Sequence, residues 1–433
     1  MFKMYKFDIF SPLHFTLVML FFYTIVKYFL MYLGLSKYPL GTFKSTDFVT
    51  LLIVLQFTFI FIFYNIFKLF NHDKYINFTK KHFSFDIVRV SRIKATNVII
   101  IFSVIILYEL YYRLIGTSLF DMGSVSPVTV KNMSANNPMA YIFIKGFADT
   151  LLMIWTMILA YFSVILKKYR VQMALLMSII MFLAIFNGSR GMFVMGAIFP
   201  LIMIYNGFKK RLGILSLFLL FLFVILLLGV LGVVRVSSQE ITLDVIINII
   251  TELDTKISYL FLSVLDRRMD SFYPNLMHVF DNIDKFDYRY GFDYINIFLQ
   301  YIPRFIWEGK PISLVREANN ILVLQDSGGT GFSSIFEAWI NFSIFGLVLN
   351  AIMASYVLVL FQKIYIYARN NREIVIFIIA VKIGTSIVMK FFIASGITHN
   401  SAELLFVIIN FLIALQLIKI MLFKKQKLIG YKI

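Results

Sequence analysis

Apolar runs long enough to cross a lipid bilayer as single α-helices recur along this chain, and that feature constrains its fold more than any other. A hydrocarbon core of about 30 Å takes about 20 apolar residues in helical form. Such runs lie at 13–33, 48–70, 97–116, 143–166, 171–187, 191–208, 212–234, 335–361, 374–393 and 403–422. They lack the strict alternation of a transmembrane β-barrel. A water-soluble fold is excluded because the chain is 60% hydrophobic and 15% charged, too little charge to cover a wet exterior. The expected fold is therefore all-α, a polytopic integral membrane protein with about ten transmembrane helices. Lys3 and Lys6 precede the first run and no small-residue cleavage site follows it, so the run reads as an uncleaved span rather than a signal peptide.

In a soluble protein a formal charge of +18 would point to nucleic acid. Here the basic clusters fall at alternate connections between spans: Lys3/Lys6, Lys74 through Lys94, Lys167/Lys168/Arg170, Lys209/Lys210/Arg211, Lys363/Arg369/Arg372 and Lys424/Lys425/Lys427. Basic residues collect on the cytoplasmic side, so the charge sets topology, both termini are expected in the cytoplasm, and nucleic acid is not an expected partner. The expected organisation is 1–234 as seven helices, 235–334 as one large extracytoplasmic loop domain, and 335–433 as three further helices with a basic tail. The absence of cysteine rules out disulfides, a thiolate nucleophile and cysteine-bound metal.

The polar interruption between Arg235 and Gly331 has its own pattern. Val245, Ile249, Leu253, Ile257, Leu260 and Val264 recur at helical spacing among charged residues, which predicts an amphipathic helix over 241–265. Asp266-Arg267-Arg268 follows, then a segment after Pro274 with His278, a turn at Tyr290-Gly291, and a short helix stopped by Pro303. The outward-facing cations Arg190, Arg235, Arg267, Arg268, Arg289, Arg304, Lys310 and Arg316 oppose the topology bias and need a local reason. Pairing with Asp266, Asp270, Asp287, Glu308 and Glu317 is one; an anionic ligand is the other, since guanidinium forks match phosphate oxygens.

Arg190 sits in the tight turn Asn187-Gly188-Ser189-Arg190-Gly191, where a helix N-terminus adds free N–H groups to its charge; snorkelling to head groups is the alternative. His399 lies in Gly396-Ile397-Thr398-His399-Asn400-Ser401, as a base or an idle histidine. Lys382 and Lys390 share a face of the ninth span, and Lys382 there implies a polar cleft. Glu337 opens the eighth span at the outer face as a candidate base for a sugar hydroxyl, with Trp339 beside it. Asp281, Asp284 and Asp287 read as a solvated helix face rather than a Mg²⁺ site, so no metal or other cofactor is expected.

Several of these segments together resemble the Wzy-type oligosaccharide repeat-unit polymerases of bacterial O-antigen and capsule synthesis. They are Asp8-Ile9-Phe10-Ser11-Pro12; Gly188-Ser189-Arg190-Gly191; Arg267/Arg268 with Leu276 and Val279; Tyr290-Gly291 leading to Ile302-Pro303-Arg304-Phe305-Ile306-Trp307 and Lys310-Pro311; and Phe336-Glu337-Ala338-Trp339 before Phe342. Where the family shows a proline or an acid after the tryptophan, this chain has Glu308. The resemblance implies a metal-independent glycosyltransferase of GT-C-like architecture, working on the outer face of the bacterial inner membrane. Its donor would be a sugar chain on undecaprenyl pyrophosphate and its acceptor a carrier-linked repeat unit. Arg190, Arg267, Arg268, Arg289, Tyr290, Lys310 and Lys382 would bind substrate and pyrophosphate. Arg304 would neutralise the leaving group, and His399 or Glu337 would take the hydroxyl proton. Implied partners are undecaprenyl-pyrophosphate-linked oligosaccharide, membrane lipid, a chain-length regulator and a flippase. An O-antigen ligase, which transfers glycan to a lipid core, is the rival within the class, and a non-enzymatic flippase or transporter the rival outside it.

Overall fold

The computed structural model describes residues 11–36, 41–70, 73–83, 199–209, 273–299, 314–322 and 333–384, with single helical positions between 154 and 178 and at 216, 219, 387, 408, 409, 412 and 413, and Trp307. Among the described residues the structure is helical, without strands. The chain divides into two compact units, Met1–Ser84 with Leu265–Leu405 and Phe85–Val264 with Phe406–Ile433. In the second unit, α5 (Phe199–Ile204) runs into a π-helical turn, Tyr205–Lys209, where Phe208 packs edge-on to Tyr161 at 5.2 Å. Every site residue described below belongs to the first unit.

The first unit begins with α1 (Pro12–Phe21), a π-helical turn (Phe22–Val26) and α2 (Lys27–Tyr32). Three buried polar residues of this stretch, Thr16, Thr24 and Lys27, are satisfied locally, as an apolar environment demands. The Thr16 and Thr24 hydroxyls each donate to a carbonyl one turn back, at 2.6 Å, and the fully buried Lys27 ammonium donates to Ser36 Oγ at 2.8 Å. Next comes α3 (Thr46–Lys68), an apolar helix with Asp47 in its first turn and Lys68 in its last, each placed to complement the helix dipole. It buries Val49, Leu52, Ile53, Gln56 and Ile60 at helical spacing and leaves Leu51, Val54, Phe61 and Ile62 exposed. A helix of 23 residues is about 34 Å long, enough to cross a bilayer. α4 (Asp73–Phe83) forms within a segment read above only as a basic connection.

The polar part of this unit contributes three short helices: α6 (Tyr273–Asp281), α7 (Phe292–Leu299) and α8 (Leu314–Ile321). Pro274 near the start of α6 suits a first turn, whose N–H groups lack helical partners. Tyr273, Leu276, Met277, Val279 and Phe280 are buried, and they join Leu52, Ile53, Ala318, Phe336 and Leu347 in one apolar core.

The greatest departure from expectation is α9 (Ser334–Asn370), where one continuous span over 335–361 was expected. Phe342 (φ −143°, ψ 15°) and Ser343 (φ 53°, ψ −135°) leave the helical region, and the chain doubles back there. Asn350 Nδ2 donates to Ser334 Oγ at 2.9 Å, whereas in a straight helix these residues would lie roughly 24 Å apart. A Cβ on Gly346 would collide with the Ala338 carbonyl oxygen, so glycine is what lets the limbs 334–341 and 344–370 approach. The result is a helical hairpin, with the short limb antiparallel to the start of the long one.

The long limb runs parallel to α3. Ser355 Oγ donates to the Ile60 carbonyl at 2.9 Å, and further along Lys363 Nζ donates to the Phe70 carbonyl at 2.6 Å. The α1–α2 segment runs the other way: the Leu13 N–H donates to Gln362 Oε1 at 3.1 Å, while Tyr28 of α2 lies edge-on to Tyr273 at 6.4 Å. Leu13, Phe70 and Lys363 therefore share one end of the bundle. Thr46, Tyr273 and the hairpin tip share the other. Among the described residues, α3 and α9 are the helices long and apolar enough to cross a membrane. After α9 the chain turns through Asn371 and Arg372 into α10 (Ile374–Ile378), which is buried throughout, and the π-helical segment Ile379–Ile383.

Candidate functional site

The turn ahead of α7 positions the site. The Phe292 N–H donates to the Arg289 carbonyl at 2.9 Å, and the two residues between, Tyr290 (φ 49°) and Gly291 (φ 85°), both have positive φ, as in a type I′ turn. Gly291 is required twice over, because a Cβ there would also strike the Phe342 ring. Tyr290 pays the conformational strain and projects outward, 80% exposed, with its ring edge-on to Tyr288 at 4.8 Å. The turn thus rests on the hairpin tip.

Backbone and side chains then latch the two together. The Arg289 N–H donates to the Ile340 carbonyl at 3.0 Å. Asn341, fully buried, donates from Nδ2 to Asp293 Oδ2 at 2.9 Å and to the Glu337 carbonyl at 2.8 Å. The Asp293 N–H approaches Asn341 Oδ1 at 3.4 Å, and Tyr294 stacks on Phe342 at 5.8 Å. Asp293 is 1% exposed, and a buried carboxylate needs a counter-charge. Arg289 supplies it, with Nη1 at 2.6 Å from Asp293 Oδ1, while its Nη2 pairs with Glu317 of α8.

Glu337 lies on the short limb, 4% exposed. It and Asp293 stand close enough to Tyr294 that, after burial, they are the next causes holding the phenol well above its ordinary range. Tyr294 therefore remains a protonated hydroxyl beside two carboxylates. This described set has three carboxylates to one guanidinium. The chemistry it offers is that of hydrogen-bond acceptors and a proton-accepting carboxylate; of the eight outward cations read from the sequence, Arg289 is the one whose side chain is among those described. Among the described residues, no three acidic or histidine side chains are arranged to hold a metal ion.

Of the residues picked out from the sequence, the structure brings Arg289, Tyr290 and Glu337 to this one region. Arg289 takes the pairing alternative, with Glu317 foreseen and Asp293 not. Lys382 lies on the π-helical segment after α10. Arg190, Arg267, Arg268, Arg304, Lys310 and His399 lie outside the described residues, as does the 241–265 segment. Asp281 has a structural role: its oxygens accept the Ser45 N–H at 2.7 Å and the Lys44 N–H at 3.1 Å, capping α3 from another helix, while Asp284 is exposed. Trp339 packs edge-on to Phe48 at 5.3 Å and Phe280 at 6.0 Å. His278 lies edge-on to Phe43.

Sequence reasoning missed Asp293, Asn341 and Tyr294. The four-residue spacing of Arg289 and Asp293 was a legible signal for an ion pair. An asparagine inside an apolar run was another, since such a residue needs a partner. Comparison with known proteins finds no match to this chain, whether among family models, curated proteins or solved structures.

Proposed function

We propose that the protein is a lipid-carrier-dependent glycosyltransferase of the bacterial cytoplasmic membrane, joining undecaprenyl-pyrophosphate-linked oligosaccharide repeat units into O-antigen or capsular polysaccharide. The acceptor's sugar hydroxyl attacks the anomeric carbon of the donor chain. The bond to pyrophosphate breaks, its electron pair leaves with the carrier, and Glu337 or His399 takes the hydroxyl proton. The observation that carries the reading is the buried Glu337 carboxylate on a rigid hairpin limb, latched to the Tyr290-Gly291 turn that leads into the Pro303–Pro311 segment. A catalytic side chain works best on an element held this firmly. Because Arg289 is already matched by two carboxylates, its part is to order the turn. Pyrophosphate contact then falls to Arg190, Arg267, Arg268, Arg304 and Lys310, with the active site on the extracytoplasmic face.

Purified protein in proteoliposomes, given carrier-linked repeat units, is expected to build long chains and release undecaprenyl pyrophosphate. Glu337→Gln is expected to lower the elongation rate by about 100-fold or more while the protein stays folded. Normal elongation by that variant removes Glu337 from the base role. Carrier release without elongation by the unaltered protein removes the polymerase reading, and transfer to a lipid-linked core oligosaccharide replaces it with a ligase.

A further inference from the structure

The short helix α7 is inside out for a helix in water. Its polar residues Asp293 and Asn296 are each 1% exposed, while Phe292 is 42% and Ile295 61% exposed. Phe292, Ile295 and the half-buried Leu299 fall at helical spacing along one stripe. Scattered exposed apolar residues are ordinary. An exposed apolar stripe beside a buried polar one on the same helix is the pattern of an element solvated by hydrocarbon.

A second observation gives the solvent its identity. α7 is latched to the hairpin tip by Asp293–Asn341 and by Tyr294 stacked on Phe342. Within three residues of Phe342 the long limb begins its own exposed apolar stripe, with Phe345 75%, Leu349 46% and Met353 37% exposed. That limb belongs to a helix long and apolar enough to cross a membrane. Tyr288 and Tyr290, both exposed, precede α7. Tyrosine is enriched at the boundary between hydrocarbon and water, its ring in the apolar layer and its hydroxyl wet.

We infer that α7 is a lipid-contacting helix, with Phe292 and Ile295 against the acyl chains of the bilayer and Tyr288 and Tyr290 at head-group level. The polar segment that carries Arg289 is then seated in the membrane interface, and its apolar stripe extends that of the 344–370 limb. This holds whatever reaction the protein performs.

The chain contains no cysteine, so single-cysteine variants of the full chain report one position each. Ile295→Cys, Phe345→Cys and Lys285→Cys are labelled with bimane in vesicles of phosphatidylcholine with a minority of phosphatidylglycerol, then exposed to brominated lipid or aqueous iodide. Brominated lipid is expected to quench position 295 as strongly as 345, with iodide reaching both roughly tenfold less well than 285. Iodide quenching of 295 equal to that of 285 overturns the inference. Loss of lipid quenching at 295 with disulfide formation between two chains overturns it in favour of self-association. Protection that arises only on adding an isoprenoid phosphate overturns it in favour of a carrier groove. Phe292→Cys, on the same stripe, gives the same reading should Ile295→Cys fail to fold.

Discussion

Replacing Arg289 by alanine would leave the Asp293 carboxylate, 1% exposed, with only the amide of Asn341. Removing one partner of a buried pair costs about 3–5 kcal/mol. Arg289→Ala is expected to destabilise the protein by that order in denaturant unfolding in detergent, and Asp293→Asn in the same background to recover part of the loss, since the buried side chain at 293 is then neutral and only the more exposed Glu317 has lost the guanidinium. Strictly additive losses would show that the two side chains do not act as a pair. Tyr294 adds a pH dependence. Burial, then Glu337 and Asp293, raise its pKa in the fold, whereas in the unfolded chain it ionises near pH 10. Above that pH the folded state binds more protons than the unfolded one, so stability is present at neutral pH and falls as pH rises past about 10. Tyr294→Phe is expected to flatten that alkaline decline, and an unchanged slope would remove Tyr294 as its source.

At the scale of the element, the hairpin stores strain at one residue. Ser343 is held at φ 53° and ψ −135°, where a side chain costs about 1–3 kcal/mol and glycine far less. Ser343→Gly is therefore expected to raise the thermal midpoint in detergent, and a lower midpoint would show that the serine side chain contributes more than the strain removes. Sequence reasoning could not see this reversal, because Phe342-Ser343 has none of the Gly, Pro or Asn that announce a turn. Gly346, the nearest glycine, serves the limb contact and not the bend. The turn at Tyr290-Gly291 was legible for the opposite reason: glycine in a polar segment supplied the positive φ. Glu337 was legible as a carboxylate beside Trp339. Its latch was not, since Asn341 and Asp293 are 48 residues apart and no local pattern ties them together.

At the scale of the whole molecule, the apolar runs located α1 to α2 and α3 within a few residues, because burial and hydrocarbon solvation select the same long apolar stretches. Tertiary packing decided the rest: the hairpin, the cap that Asp281 gives α3, and the orientation of α7. The parallel course of α3 and the long limb puts Lys44 at one end of the bundle and Asn370 at the other. Cysteines introduced at Lys44 and Asn370 are expected to label oppositely with an impermeant maleimide in sealed cells, Lys44→Cys reacting and Asn370→Cys reacting after permeabilisation. Equal labelling before permeabilisation would contradict a bundle that crosses the membrane. The hairpin also settles how the protein tolerates change in length. Asn350 fixes Ser334, and Gly346 fixes Ala338, so the height of Glu337 is set from downstream, by the long limb it leans on. Residues inserted ahead of Ser333 would lengthen the approach and leave the carboxylate where it is, whereas a single residue added between Ser334 and Ala338 would put the two contacts out of register and turn it to another face.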